Sequence, residues 1–248
     1  MYEPRFYRET MGNSRWKSIR YAYLETDLWV AFDSGGDPGK TKKFLNERVR
    51  YYRDILENHI NQYPDFLVSL NPLALPSGLP LLVKEMYTAS GMAGTGPMSA
   101  VAGAIAERIC TDISAEFGYK EVVVENGGDI FLQLASPATI YVYAGKSPLS
   151  DKIGLSVKPE ETPLSVCCSS GTIGHSFSFG TADACAIACS SGALADAYAT
   201  AFCNMVKSEG NLEETSQMAL KVPEIKSVVI IKEDKVALGG NIEFVFKE

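Results

Sequence analysis

Positive charge is in short supply in this chain. Its 23 lysines and arginines are outnumbered by 30 aspartates and glutamates. The resulting net charge of −7 excludes the basic face that nucleic-acid binding needs. Histidine is rarer still, with only His59 and His175 present. Cysteines stand at 110, 167, 168, 185, 189 and 203, with no Cys-x-x-Cys pair among them. Zinc and cluster sites draw on such pairs or on histidine, so these thiols read as small, buried, reduced residues. No apolar leader follows the early charges of Met1-Tyr2-Glu3-Pro4-Arg5, which predicts a cytoplasmic protein. The stretch 86–106 has no charged side chain, but glycines, a proline and hydroxyls interrupt it. It reads as buried loop and helix, with no membrane span. At 248 residues and 46% apolar content the chain can bury a full core, and 1–248 is expected to be a single domain.

The stretch 163–206 is rich in Ser, Gly, Ala and Cys. Two carboxylates, Asp183 and Asp196, and one imidazole, His175, have few polar competitors there. In a helix, Asp196 and Thr200 stand at i and i+4, roughly 5–6 Å apart at Cβ. A carboxylate and a hydroxyl so placed can share one hard cation. Alternatively, Asp196 lies in the first helical turn and complements the dipole. Ser190-Ser191-Gly192 caps the start of that helix, where an anionic ligand would be favoured. His175 is a proton-transfer group, a ligand-orienting donor or a satisfied core residue, and Asp183 is a second candidate base.

Along the rest of the chain, Trp16–Tyr23 and 25–32 read as a paired hairpin. Ser34 to Thr41 superficially resembles a phosphate-binding loop before a helix to about residue 61. Pro38 removes a donor from it, and the other reading is a turn with Asp37 as N-cap and Pro38 at N1. His59, on this charged helix, is expected at the surface. A helix over about 81–89 leads to a small-residue loop, 90–98, holding Thr95 and Gly96. The helix 99–117 is apolar all round in its first half, so it is buried, and Gly103 admits a close neighbour. Residues 121–134 read as strand, turn and strand around Asn126-Gly127-Gly128-Asp129, either a plain hairpin turn or a ligand rim. Strands are expected at 139–144, 153–157 and 185–189, then a helix carrying Asp196 and another to about 220. Strands at 225–232 and 242–246 flank a turn at Gly239-Gly240. Strands clustered in hairpin-like pairs predict an α+β fold of mostly antiparallel sheets packed with helices. The small-residue loops 91–98, 126–129 and 169–175 are expected to meet at one pocket.

Three motifs in order, Asn126-Gly127-Gly128-Asp129-Ile130, Ser169-Ser170-Gly171-Thr172 with His175, and Ala195-Asp196-Ala197-Tyr198-Ala199-Thr200, resemble the ApbE family. The resemblance extends to Glu25-Thr26-Asp27-Leu28 and to residues 96–104, and is closest to a cytoplasmic ApbE-like branch. The family's flavin transferases move FMN from FAD to a threonine of an acceptor protein, using magnesium. The resemblance implies an ApbE-like fold, with Asp196 and Thr200 as metal ligands and a carbonyl of the 101–103 segment beside them. Thr95, Gly96, Asn126, Gly127, Gly128, Asp129, Ser169, Ser170, Gly171 and Thr172 are expected to line a site for FAD, FMN or another small anionic nucleotide. His175 and Asp183 are the candidate catalytic residues. Ala102 stands where the transferases carry lysine, and the Asp-Pro that follows their histidine is absent here. Expected function is therefore magnesium-dependent flavin-nucleotide binding with hydrolase or transferase chemistry. The alternative is a non-catalytic flavin- or metabolite-binding protein, with sulfur incorporation into homocysteine as context from the same branch. Neither reading identifies an acceptor protein.

Overall fold

The structure is a computed structural model that describes Arg8, residues 15–172 and residues 180–247. An eight-stranded sheet forms its middle layer. In chain order the strands are β1 (Trp16–Tyr23), β2 (Thr26–Asp33), β3 (Val122–Asn126), β4 (Asp129–Gln133), β5 (Ala138–Tyr141), β6 (Ile153–Val157), β7 (Leu164–Ser169), β8 (Ala184–Cys189), β9 (Ile225–Lys232), β10 (Lys235–Gly240) and β11 (Glu243–Phe246). The large sheet runs β1-β2-β3-β4-β7-β8-β9-β10, and a small one runs β11-β6-β5. Every pairing is antiparallel, as expected.

Alternation along the strands explains the layering. On β2, Leu28, Val30 and Phe32 pack toward the helices, while Trp29 and Ala31 join the residues that meet the small sheet. Both faces of the central strands are covered, so they read as nearly continuous apolar runs. The helices are α1 (Pro38–Gln62), α2 (Asp65–Val68), α3 (Leu81–Ala93), α4 (Val101–Phe117), α5 (Gly192–Met205) and α6 (Leu212–Ala219). Helices α1, α3 and α4 cover one half of the large sheet, and α5 and α6 cover the other. Among the described residues, no helix is long and apolar enough to cross a membrane.

Asp37 accepts the backbone N–H groups of Gly39 (2.9 Å) and Lys40 (3.2 Å) with Pro38 following, so the Ser34 to Thr41 segment is a capped helix start. His59 is a correction. It is buried, not at the surface, because it falls in the stripe Thr41, Leu45, Val49, Tyr52, Leu56, His59, the spacing of one helix face. Its Nε2 lies 3.1 Å from the Tyr87 hydroxyl, and Phe66 and Tyr63 pack around the ring. Burial lowers its pKa and keeps it neutral. Helix α3 also runs past the expected end, through Gly91, to stop at Gly94 in the left-handed conformation (φ 74°), the usual helix C-terminus. The expected turn at Gly239-Gly240 is instead the end of β10, whose hairpin with β9 turns at Glu233 and Asp234. A side chain on Gly240 would meet the Lys226 carbonyl of β9 at 2.3 Å, and one on Gly239 would meet the Leu220 side chain at 2.4 Å, so close packing explains these glycines.

All six cysteines are free, and five are buried. Cys167, Cys185, Cys189 and Cys203 belong to the core beneath α5 and α6. Burial pushes the Cys168 thiol up to about 12, which keeps it protonated and unreactive.

Candidate functional site

Helices α4 and α5 cross where both carry glycine. A Cβ on Gly103 would meet the Gly192 carbonyl at 2.2 Å, and a Cβ on Gly192 would meet the Gly103 carbonyl at the same distance. This approach lets the Asp196 carboxylate accept the Gly103 N–H at 2.9 Å. Asp196 is the fifth residue of α5, and the first turn holds no acid, so the dipole-complement alternative is not supported. Gly103→Ala is expected to lower stability by about 3 kcal/mol through forced separation of the helices, measured by urea unfolding. A midpoint equal to wild type would contradict this packing.

The β3–β4 hairpin turns on Gly127 (φ 73°) and Gly128 (φ 105°), a double left-handed requirement that glycine meets without strain. The turn leaves Asn126 and Asp129 opposite each other. Asn126 Nδ2 donates to the Ala102 carbonyl (3.1 Å), while Asp129 Oδ1 accepts the Cys168 N–H (3.1 Å). One residue on, the Ser169 hydroxyl lies 3.2 Å from that of Thr200. The structure thus brings Asn126, Asp129, Asp196, Thr200, Ser169 and the start of α4 to one place.

Electrostatics single this place out. Asp129 is pushed well above the usual carboxylate range by burial and then by the negative charge of Asp196. Burial raises Asp196 to about 7 against the stabilising backbone N–H groups of Gly103 and Ala102. Among the described residues neither carboxylate has a Lys, Arg or His partner. Nor do three His, Cys, Asp or Glu side chains gather as a metal centre. The oxygen set comprises two carboxylates, the Thr200 and Ser169 hydroxyls and the Ala102 carbonyl, which suits a hard cation better than a soft one.

Other expected site residues lie elsewhere or are already engaged. Thr95 bonds Ser99 (2.7 Å), and Gly96 sits against the Ser69 carbonyl, where a Cβ would stand at 1.7 Å. Gly171 N–H donates to Ala182, and Thr172 is held by Ser170 and by Asp183 Oδ1 (3.0 Å). The other Asp183 oxygen accepts the Glu233 N–H at 2.6 Å, so both its oxygens hold loops. His175 lies outside the described residues. The expected anion site at the start of α5 is corrected: Glu107 Oε2 takes the Gly192 N–H at 2.7 Å and serves as the helix's own anion. Sequence reasoning missed Glu107, and also Glu125, whose Oε1 accepts the Gly128 N–H at 2.8 Å. A glutamate nearly two turns into an otherwise apolar helix start was the available signal for the first.

The chain is 36% identical over 233 residues to a UPF0280 protein of Methanocaldococcus jannaschii, covering 92% of both. A UPF0280 protein of Methanosarcina barkeri is 38% identical over 197 residues, 79% of this chain and 77% of its own. Solved structures share the fold at low identity. The flavinyl transferase ApbE of Pseudomonas stutzeri gives a TM-score of 0.58 at 13% identity, over 90% of this chain and 94% of that one. The ApbE protein of Thermotoga maritima gives 0.53 at 14%, over 92% and 96%. The family described as AbpE bacteria matches residues 8–224, and the chain belongs to that family.

Proposed function

We propose that this chain binds a flavin nucleotide through a divalent cation, magnesium by the hardness of its donors, and slowly hydrolyses FAD. The observation that carries the reading is the buried carboxylate pair Asp129 and Asp196, uncompensated by any described cationic side chain. Asp196, Asp129, Thr200 and the Ala102 carbonyl would hold the ion. Bound there, it would neutralise charge developing on the diphosphate. Asn126, Gly127, Gly128, Ser169, Ser170, Gly171 and Thr172 would wall the nucleotide. The fold shared with flavin transferases supports a flavin as the nucleotide.

Hydrolysis would break the bridging P–O bond of FAD, adding water's hydroxyl to one phosphorus and a proton to the leaving phosphate, to give FMN and AMP. His175 is the base in this reading, because Asp183 already spends both oxygens on Thr172 and Glu233. A base must reach the proton that it removes. Incubation with FAD, magnesium and a threonine-bearing peptide is expected to release FMN and AMP slowly, without covalent flavin on the peptide. His175→Ala should lose the release. Robust flavinylation that is lost in His175→Ala would instead establish a transferase. Binding without either reaction would make the chain a flavin-binding protein.

A further inference from the structure

Arg8 belongs to none of the motifs above and is buried at 4% exposure. Its Nε donates to Glu125 Oε2 at 2.5 Å, Nη1 to Asp27 Oδ1 at 2.7 Å and Nη2 to the Asp27 carbonyl at 2.8 Å. Glu125 is completely buried, and its second oxygen accepts the Gly128 N–H. One carboxylate therefore joins a cation near the N-terminus to a two-glycine turn, and the next residue is Asp129. Glycines restrain a backbone least, so outside contacts must define this turn. Removing a cation paired with a fully buried carboxylate loosens that carboxylate's hold on its other partners, here the Gly128 N–H.

We propose that Arg8 is a positioning residue of the acidic site: by pairing with Glu125 it fixes the Gly128 turn, and through it the Asp129 carboxylate beside Asp196. For its ligand the proposal rests on the reading of the previous section; for its geometry it does not. Charge and position make opposite forecasts. Loss of Arg8 removes a positive charge near the site, so charge alone would tighten cation binding. Loss of position would weaken it.

The test compares wild type, Arg8→Met and Arg8→Lys, with Mg2+ alone as the titrant in calorimetry and amide hydrogen exchange as the ligand-free readout. In Arg8→Met, Gly128 should exchange at least about tenfold faster relative to Ala186 on β8. Magnesium affinity should fall about ten- to a hundredfold, the usual effect of losing a group that orients a ligand. Arg8→Lys, which keeps the charge beside Glu125, should recover most of both. Unchanged protection at Gly128, a uniform rise in exchange across the sheet, or tighter magnesium binding in Arg8→Met would each overturn the proposal. If the wild type binds no magnesium, the reading of the previous section fails, and the exchange at Gly128 alone decides whether Arg8 positions the turn.

Discussion

Asp196→Asn is expected to abolish magnesium binding and, at the same time, to stabilise the metal-free protein. The two effects share one cause. Burial holds Asp196 at about 7 against an ordinary 3.8, so at pH 8 its ionised form opposes folding by up to roughly 4 kcal/mol. Asparagine has nearly the same shape. Its Oδ1 can keep the Gly103 N–H, and it carries no charge to repel Asp129. Allowing for imperfect geometry, a gain of about 2 kcal/mol is expected in urea unfolding at pH 8 with chelator present. Calorimetry should find no magnesium binding, because an amide supplies no formal charge to a hard cation. A destabilised variant that still binds magnesium would mean that Asp196 serves the helix junction alone.

The second large effect is on pH. Asp196 binds its proton more tightly folded than unfolded, so between about pH 4 and 7 the folded state carries more protons. Stability therefore falls as pH rises through that window, and Asp129, raised in the same direction, adds to the trend. Magnesium competes with the protons, so its stabilising effect should be nearly absent at pH 5 and full at pH 8. Two other groups act in the opposite sense. Glu121 is held at about 2 by Arg15, and that stability is present above pH 4.5 and lost as pH falls toward 2. His59, kept neutral by burial, loses stability as pH falls below about 6.5. The comparison that isolates the acidic pair is thus wild type minus Asp196→Asn, since both retain His59 and Glu121. With chelator, that difference should become more negative from pH 5 to pH 8, by about 2–4 kcal/mol. A difference flat in pH would show that Asp196 is not raised.

What the sequence made legible was local. The Asp196 and Thr200 spacing, the Asn126 to Asp129 hairpin and the antiparallel strand pairs depend on periods of 3.6 and 2 or on turn chemistry, and all appear in the structure. Long-range juxtapositions were less accessible. The meeting of Asp129 with Asp196 depends on the Gly103–Gly192 crossing and on β7 lying beside β4, which no spacing encodes. Glu107 satisfying the start of α5, and Arg8 reaching Glu125, are pairings across the chain of the same kind. Two misreadings were local instead. The charged surroundings of His59 hid its place in the buried stripe of α1, and Gly239-Gly240 suggested a turn where side chains were excluded by the end of α6 and by β9.

In the proposed function the acidic pair holds a cation, and the cation holds the diphosphate of a flavin nucleotide. Calorimetric titration of FAD into the wild-type protein, with magnesium and again with chelator, tests it most directly. Binding at least about tenfold tighter with magnesium is predicted, the advantage vanishing in Asp196→Asn, as expected when an ion bridges carboxylates to phosphate. FAD binding equally well with chelator, or no FAD binding in either condition, would contradict the claim.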